Sequence, residues 1–264
     1  MPEGHTIKRL AIDHAALFGT DSLAVSSPQG RFTQGAALLD GQPIEEIQTH
    51  GKHLFYRFPA DCILHIHLGL IGKFTQDQGT PPPPVGAVRL RMQSQRGYVD
   101  LRGATVVEVI TPEQRDVIIQ RLGVDPLDPR TRSGDTLVRI RRSALPVGRL
   151  LMEQQLIAGV GNVYRAEVLF RASMSPFRPG SRVSPQEWDA IWRDLQRLMR
   201  EGVRANRIVT TRTSDRSGRL GTNRENWHYV YRRAGVACRV CGAEVLTELM
   251  AGRNLFWCPR CQQR

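Results

Sequence analysis

Four cysteines near the C-terminus constrain this chain more than any other feature. Cys238-x2-Cys241 and Cys258-x2-Cys261 form two knuckles with sixteen residues between them. Thiolates in two such pairs match the tetrahedral, all-sulfur coordination of one structural zinc ion, and the spacer suits a β-hairpin. With four ligands and no open position, that Zn2+ is expected to hold structure and not to catalyse. Two disulfides are the alternative, which a reducing cytosol disfavours. Arg253 falls within the hairpin, where the metal would hold it rigid for contact with a phosphate. The fifth cysteine, Cys62, is expected in the core.

The charge is uneven. Residues 1–130 hold 13 Lys+Arg against 14 Asp+Glu, whereas residues 131–264 hold 24 Arg, no Lys and 11 Asp+Glu. Positive charge gathered in one half suggests a polyanionic partner, nucleic acid by default, with a merely solvated basic surface as the alternative. All three lysines, Lys8, Lys52 and Lys73, lie in the near-neutral half. No apolar run approaches a membrane span and no signal peptide opens the chain, so the expected location is cytosolic.

The chain begins Met1-Pro2-Glu3-Gly4-His5-Thr6. Removal of Met1 would leave Pro2 as a free secondary amine. An α-amino group titrates near about 7.7–8.0, so a sizeable fraction is an uncharged nucleophile at neutral pH. Glu3 follows, a carboxylate within reach to move protons. Ile7, Leu10, Ala11, His14, Leu17 and Phe18 recur at helical spacing and Gly19 stops the run. The helix dipole would then disfavour the ammonium form of the amine. The alternative is that Pro and Glu simply begin a helix.

Residues 20–110 read as mostly β, with runs at Leu54–Phe58, Ile63–Leu70, Val88–Met92, Val99–Leu101 and Thr105–Ile110. Strands without alternating helices favour a sandwich or barrel. The proline run at 81–84 is expected to be an exposed loop. Lys52, after Gly51, is a candidate phosphate contact or second amine, or else an ordinary strand-edge lysine. Two glycines inside His67–Gly72 suggest a tight turn presenting Leu70 or Ile71 as a wedge, with a bulged core strand as the alternative. Thr111-Pro112-Glu113-Gln114 and Ser184-Pro185-Gln186-Glu187 each start a helix with a capping box.

The second half reads as helical after a linker with Pro126 and Pro129. A helix is expected from about Gly148 to Ile157, then a break at Ala158–Asn162, then a helix over Val163–Ala172. Asn162 is read as its N-cap, at a terminus able to hold a phosphate. Trp188, Ile191, Trp192, Leu195, Leu198 and Met199 form a core stripe. Gly202–Asn226 has no periodicity and holds six arginines, so it is expected to be a functional loop, mobile without DNA.

Taken together, the Met-Pro-Glu-Gly start, Gly51-Lys52, the His67–Gly72 turn, Gly159–Asn162 and the zinc hairpin with Arg253 resemble the formamidopyrimidine-DNA glycosylase and endonuclease VIII family over nearly the whole chain. The resemblance implies an α+β multidomain fold. An N-terminal β-sandwich with a first helix would occupy 1–122 and a linker 123–132. A helix–two-turn–helix domain would occupy 133–226 and a zinc finger 227–264. It implies a bifunctional glycosylase and abasic-site lyase of base excision repair, monomeric, associated with the nucleoid, acting on damaged duplex DNA without a nucleotide cofactor. In the roles so implied, Pro2 attacks C1′, Glu3 shuttles protons, Lys52 holds a phosphate and Glu167 supports the site from behind. Asn162 and Arg253 grip the backbone, Leu70 fills the gap left by the flipped nucleotide, and Arg102 is carried over as a DNA contact.

Some residues depart from the pattern. His5-Thr6 stands where Pro-Glu is frequent, Asp100-Leu101-Arg102-Gly103-Ala104 lacks the aromatic wedge of oxidised-guanine members, and Asn254-Leu255 follows the hairpin arginine. Gly4 and the missing wedge lean toward endonuclease VIII and oxidised pyrimidines. Removal of oxidised purines is the alternative within the class, and a non-catalytic zinc-ribbon protein that binds distorted DNA is the alternative outside it.

Overall fold

The computed structural model describes residues 2–216 and 226–263, which divide into two compact units, Met1–Arg121 and Leu122–Arg264. The first opens with helix α1 (Gly4–Phe18), whose buried Ile7, Ala11, His14 and Phe18 follow the expected stripe. Gly19 takes over the last turn by donating to the Ala15 carbonyl. A short β1 (Ala24–Ser26) and helix α2 (Thr33–Leu39) follow, neither of which the sequence patterns expose.

Seven more strands complete the unit: β2 (Glu46–His50), β3 (His53–Arg57), β4 (Ile63–His67), β5 (Lys73–Gln78), β6 (Leu90–Gln93), β7 (Gly97–Arg102) and β8 (Val106–Ile110). They form two antiparallel four-stranded sheets, ordered β1-β6-β7-β5 and β2-β3-β4-β8. One apolar core joins the inner faces, Leu90, Met92, Val99 and Leu101 from the first sheet meeting Leu54, Tyr56, Leu64, Ile66 and Val107 from the second. This is the expected sandwich. Helix α1 packs against β2, β3 and β7. His14 sits fully inside this core with Nδ1 2.6 Å from the Tyr56 hydroxyl, and burial pushes it down to about 4. The outer face of the second sheet holds a smaller cluster of Phe55, Ile63 and Ile110, covered by Ile118 and Ile119 of helix α3 (Pro112–Gln120). Thr111 caps α3 through the expected capping box.

The second unit contains α4 (Gly134–Arg141), α5 (Val147–Leu150), α6 (Asn162–Arg171) and α7 (Pro185–Ala205), then a hairpin of β9 (Leu246–Met250) and β10 (Arg253–Trp257). Residues 123–132 lie along this unit: Gly123 donates to the Gln154 carbonyl and Ala158 to that of Val124. The helix expected over 148–157 is only the four residues of α5. Gln154 is instead a staple of the following turn, accepting from the Gly159 amide and donating to the Val160 carbonyl at 2.9 Å. Side-chain hydrogen bonds of this kind let a non-helical segment satisfy its backbone.

The α7 stripe is core as expected, with Trp188, Ile191, Trp192, Leu195, Leu198 and Met199 all buried. That helix runs on to Ala205 and ends at Asn206 in a left-handed conformation, so the irregular segment starts later than Gly202. Residues 217–225, including Arg219 and Arg224, lie outside the described residues. No helix among the described residues is long and apolar enough to cross a membrane.

Candidate active site and zinc centre

In the first unit, Pro2 is half-buried at the mouth of α1 and Glu3 is its N-cap residue, fully buried. Its backbone carbonyl accepts from Thr6 and Ile7, while its side chain makes no capping bond. The carboxylate is thus buried directly beside Pro2. His5 is buried in the next position, where burial and then the terminal ammonium push it down to about 4. It cannot replace a second carboxylate as an anion.

Lys52 lies at the tip of the β2–β3 hairpin, in a two-residue turn set by the pairing of His50 with His53. It faces imidazoles. His53 is pushed down to about 3, by burial first and then by charge from His67, His65, His50 and Lys52. Burial and the charges of His65 and Lys52 also lower His67.

The His67–Gly72 turn is as expected. Leu70 and Ile71 are 64% and 79% exposed at its tip. Gly69 is there because φ is +67°, and a Cβ would approach the Thr105 hydroxyl to 1.9 Å. Such an aliphatic tip costs solvation unless a partner covers it, which suits insertion between bases.

Arg102 makes several hydrogen bonds within the first unit. It donates to Asp100 at 3.1 Å, to Thr75 at 2.9 Å and to the Val85 carbonyl at 3.1 and 3.2 Å. Arg91 holds Asp100 bidentately at 2.7 and 2.9 Å and reaches the Pro82 carbonyl. The pair of arginines thereby pins the exposed proline loop from within, an internal role that sequence position alone did not reveal.

In the second unit, helix α6 organises the candidate contacts. Gly161, not Asn162, is its N-cap residue. The Asn162 side chain is buried, accepting from Arg165 and donating to the Asn254 carbonyl at 2.9 Å. Arg165, fully buried one turn on, also donates to the Met250 carbonyl at 3.1 Å. These two residues clamp both flanks of the β9–β10 turn. Ala251 and Gly252 turn with φ of +53° and +70°, the type I′ pattern that suits a two-residue hairpin. Arg253 begins β10 opposite Met250 and is therefore fixed from α6 as well as from the cysteines. Arg165 was missed by sequence reading. Its signal was a charged residue in a segment otherwise apolar enough to be wholly buried.

Glu167 is an acceptor inside the second unit. Fully buried, it accepts from the amides of Tyr229, Val230 and Tyr231 at 2.8, 2.9 and 2.8 Å and from the Thr210 hydroxyl. It ties together the chain on either side of residues 217–225.

The four cysteine sulfurs all lie within 4.8 Å of one another, with Cys238 and Cys261 3.9 Å apart and Cys241 and Cys258 3.4 Å apart. Tetrahedral zinc with Zn–S bonds of about 2.3 Å puts sulfurs about 3.8 Å apart, whereas a disulfide needs about 2.05 Å. All five cysteines are free thiols, which removes the disulfide alternative, and the donor set fits one structural zinc. Gln262, also unforeseen, supports the second knuckle by accepting from the Cys258 amide and donating to the Met174 carbonyl, both at 3.0 Å. Cys62 packs against the sandwich core.

Comparison with known proteins agrees with this architecture. Residues 1–107 match the formamidopyrimidine-DNA glycosylase N-terminal domain. Residues 122–214 match the H2TH domain of the same enzyme, and 237–264 match a zinc finger found in that glycosylase and in isoleucyl-tRNA synthetase. The chain is 45% identical to Endonuclease 8 1 of Mycobacterium tuberculosis, over 99% of this chain and 100% of that protein. It is 32% identical to formamidopyrimidine-DNA glycosylase of Thermus thermophilus, over 87% of this chain and 86% of that protein. Among solved structures, Lactococcus lactis Fpg in complexes with Fapy-dG-containing DNA and with oxidised-pyrimidine-containing DNA each aligns with a TM-score of 0.83, over 100% of both chains. At 24% and 23% identity, these last two speak for the fold. The chain belongs to the formamidopyrimidine-DNA glycosylase and endonuclease VIII family.

Proposed function

We propose that this member of a family of DNA glycosylases with abasic-site lyase activity removes oxidised bases from duplex DNA, pyrimidines before purines, through the amine of Pro2. The observation that carries the reading is the Pro2-Glu3 pair at the start of α1, with the carboxylate buried and not engaged as a cap. After loss of Met1, the Pro2 nitrogen attacks C1′ of the extruded nucleotide and the base departs with a proton. The C1′–O4′ bond then breaks, O4′ taking a proton from Glu3, and the iminium so formed at C1′ makes the C2′ protons acidic. Glu3 takes a proton, the 3′ phosphate leaves, and the same sequence at C4′ releases the 5′ phosphate. Lys52 holds the adjoining phosphate, Leu70 fills the space left in the stack, and Asn162 with Arg253 sets the backbone. The four-cysteine zinc takes no part in bond making.

Extrusion costs a few kcal/mol, least for a lesion that already pairs badly, which lets a single pocket select damage without reading sequence. In this reading 1–122 is the catalytic domain, 123–132 a linker lying along the second unit, 133–226 the DNA-binding domain and 227–264 the zinc finger. The enzyme acts as a monomer in the cytoplasm at the nucleoid. Similarity over the whole chain to Endonuclease 8 1 of M. tuberculosis supports placing the enzyme on the endonuclease VIII side of the family, and the pyrimidine preference is proposed on that placement together with Gly4 and the missing aromatic wedge.

Competition between duplexes carrying thymine glycol and oxidised guanine tests the substrate assignment, with the pyrimidine lesion expected to be cut faster. Faster excision of oxidised guanine would replace it with the purine reading. Borohydride trapping on abasic-site DNA tests the chemistry, since a DNA-binding protein without a nucleophile gives no adduct.

A further inference from the structure

The outer face of the β2-β3-β4-β8 sheet carries His50, His53, His65 and His67, four of the chain's seven histidines. Cross-strand register sets them in adjoining rows. His53 stands opposite both His50 and His67, and in the next row His65 stands opposite Phe55 and Glu108. His65 is buried, while His50, His53 and His67 are half-buried.

The hydrogen bonds here fix the positions of protons. An ionised carboxylate only accepts, so His65 Nδ1, 2.9 Å from Glu108 Oε1, carries the hydrogen. The other nitrogen of a neutral imidazole is then an acceptor. His65 Nε2 therefore accepts from His53 Nδ1, 2.9 Å away. That leaves His53 with an unprotonated Nε2. Across the strand, the His67 ring lies beside the His53 ring, with centroids 4.7 Å apart and planes tilted by 50°. Histidines that bind metals characteristically donate their second ring N–H to an acceptor that fixes tautomer and orientation. The Glu108–His65–His53 chain has that form, and the reaction assigned to this protein makes no use of it.

We propose that His53 and His67 form a two-imidazole site for a borderline divalent cation, supported from behind by His65 and Glu108 and completed by water. Imidazole nitrogens suit Zn2+, Ni2+ and Cu2+ over Mg2+ or Ca2+. Among the described residues, three or more ligands converge only at the cysteines, so this site has two protein ligands and binds far more weakly than the zinc centre. The neighbouring Lys52 charge also opposes a dication and keeps the site exchangeable. A cation bound there places positive charge beside the residue proposed to hold a phosphate.

The test is a calorimetric titration of untagged, zinc-loaded, full-length protein with Ni2+, with zinc content measured before and after. One Ni2+ per chain is expected beyond the retained zinc. His53→Gln and His67→Gln should each weaken it by roughly tenfold or more, and Glu108→Gln, which removes only the outer support, by roughly tenfold. Nitrogen NMR of the unsubstituted protein should find Nδ1–H tautomers at His53 and His65. No saturable Ni2+ binding below millimolar, or undiminished binding in both histidine variants, overturns the site. An Nε2–H tautomer at His53 overturns the support chain, and this reading does not depend on any variant folding. Neither result bears on the glycosylase assignment, which stands on Pro2.

Discussion

The two units reach a defined shape by different means. The sandwich is built mainly by repetition: alternating apolar residues on eight strands meet in one core, with polar ties such as His14 with Tyr56, Asp100 with Arg91 and Arg102, and Glu108 with His65 and His53 set into or beside it. The arginine-rich unit is built around polar ties that each hold a particular segment. Glu167 gathers three amides and a hydroxyl, Arg165 and Asn162 clamp the hairpin turn, and Gln154 staples the turn before α6. A core of interchangeable aliphatic side chains tolerates substitution of similar volume. A buried carboxylate with several backbone donors does not, because its loss leaves each donor without a partner. The residues proposed to react and to wedge thus sit on the more tolerant scaffold, and the arginine proposed to meet a phosphate on the more exacting one.

The largest effect that would sharpen this contrast is chemical. Pro2→Gly should reduce both base release and strand cleavage by at least roughly a thousand-fold while the melting temperature stays unchanged, because the residue contributes little packing. Full activity in that variant would move the nucleophile elsewhere. Next in size is Glu167→Ala, expected to destabilise the second unit by roughly 3 kcal/mol or more as three buried amides lose their acceptor. Chemical denaturation should then resolve two transitions with only one displaced. A single shifted transition would mean that the units do not differ in the way described.

Metal removal follows. Chelation should loosen the Arg253 hairpin and weaken DNA binding at a concentration that leaves the sandwich folded by near-ultraviolet circular dichroism. Undiminished DNA binding by the metal-free protein would show that the α6 clamp alone suffices. Smallest in stability terms is Leu70→Ala. Exposed as it is, its loss should change stability by no more than about 0.5 kcal/mol, yet slow excision from a duplex more than from a single strand. Affinity for undamaged duplex should fall steeply with salt for wild type and variant alike, since counterion release depends on the arginines.

These differences also set what was legible in advance. Apolar periodicity reads well where packing decides structure, hence α1, α7 and the sandwich with most of its strands. Strand β5 escaped because it is an edge strand whose residues are mostly exposed, and α2 because seven residues carry too little pattern. Zinc ligands were legible because their chemistry demands a fixed spacing. The polar ties were not, since nothing in a linear sequence shows that Arg165 will find the carbonyls of Met250 and Asn254 some ninety residues later. For the same reason the ties of Arg102 to Asp100 and to the proline loop were not legible.

The most direct test of the central chemistry is to trap the enzyme on abasic-site DNA with borohydride, digest the adduct and map the cross-linked peptide by mass spectrometry. The expected result is a single modified peptide that begins at Pro2, with Met1 absent and the sugar on its terminal nitrogen. Modification at Lys52, or an adduct formed by chains that still carry Met1, would contradict it.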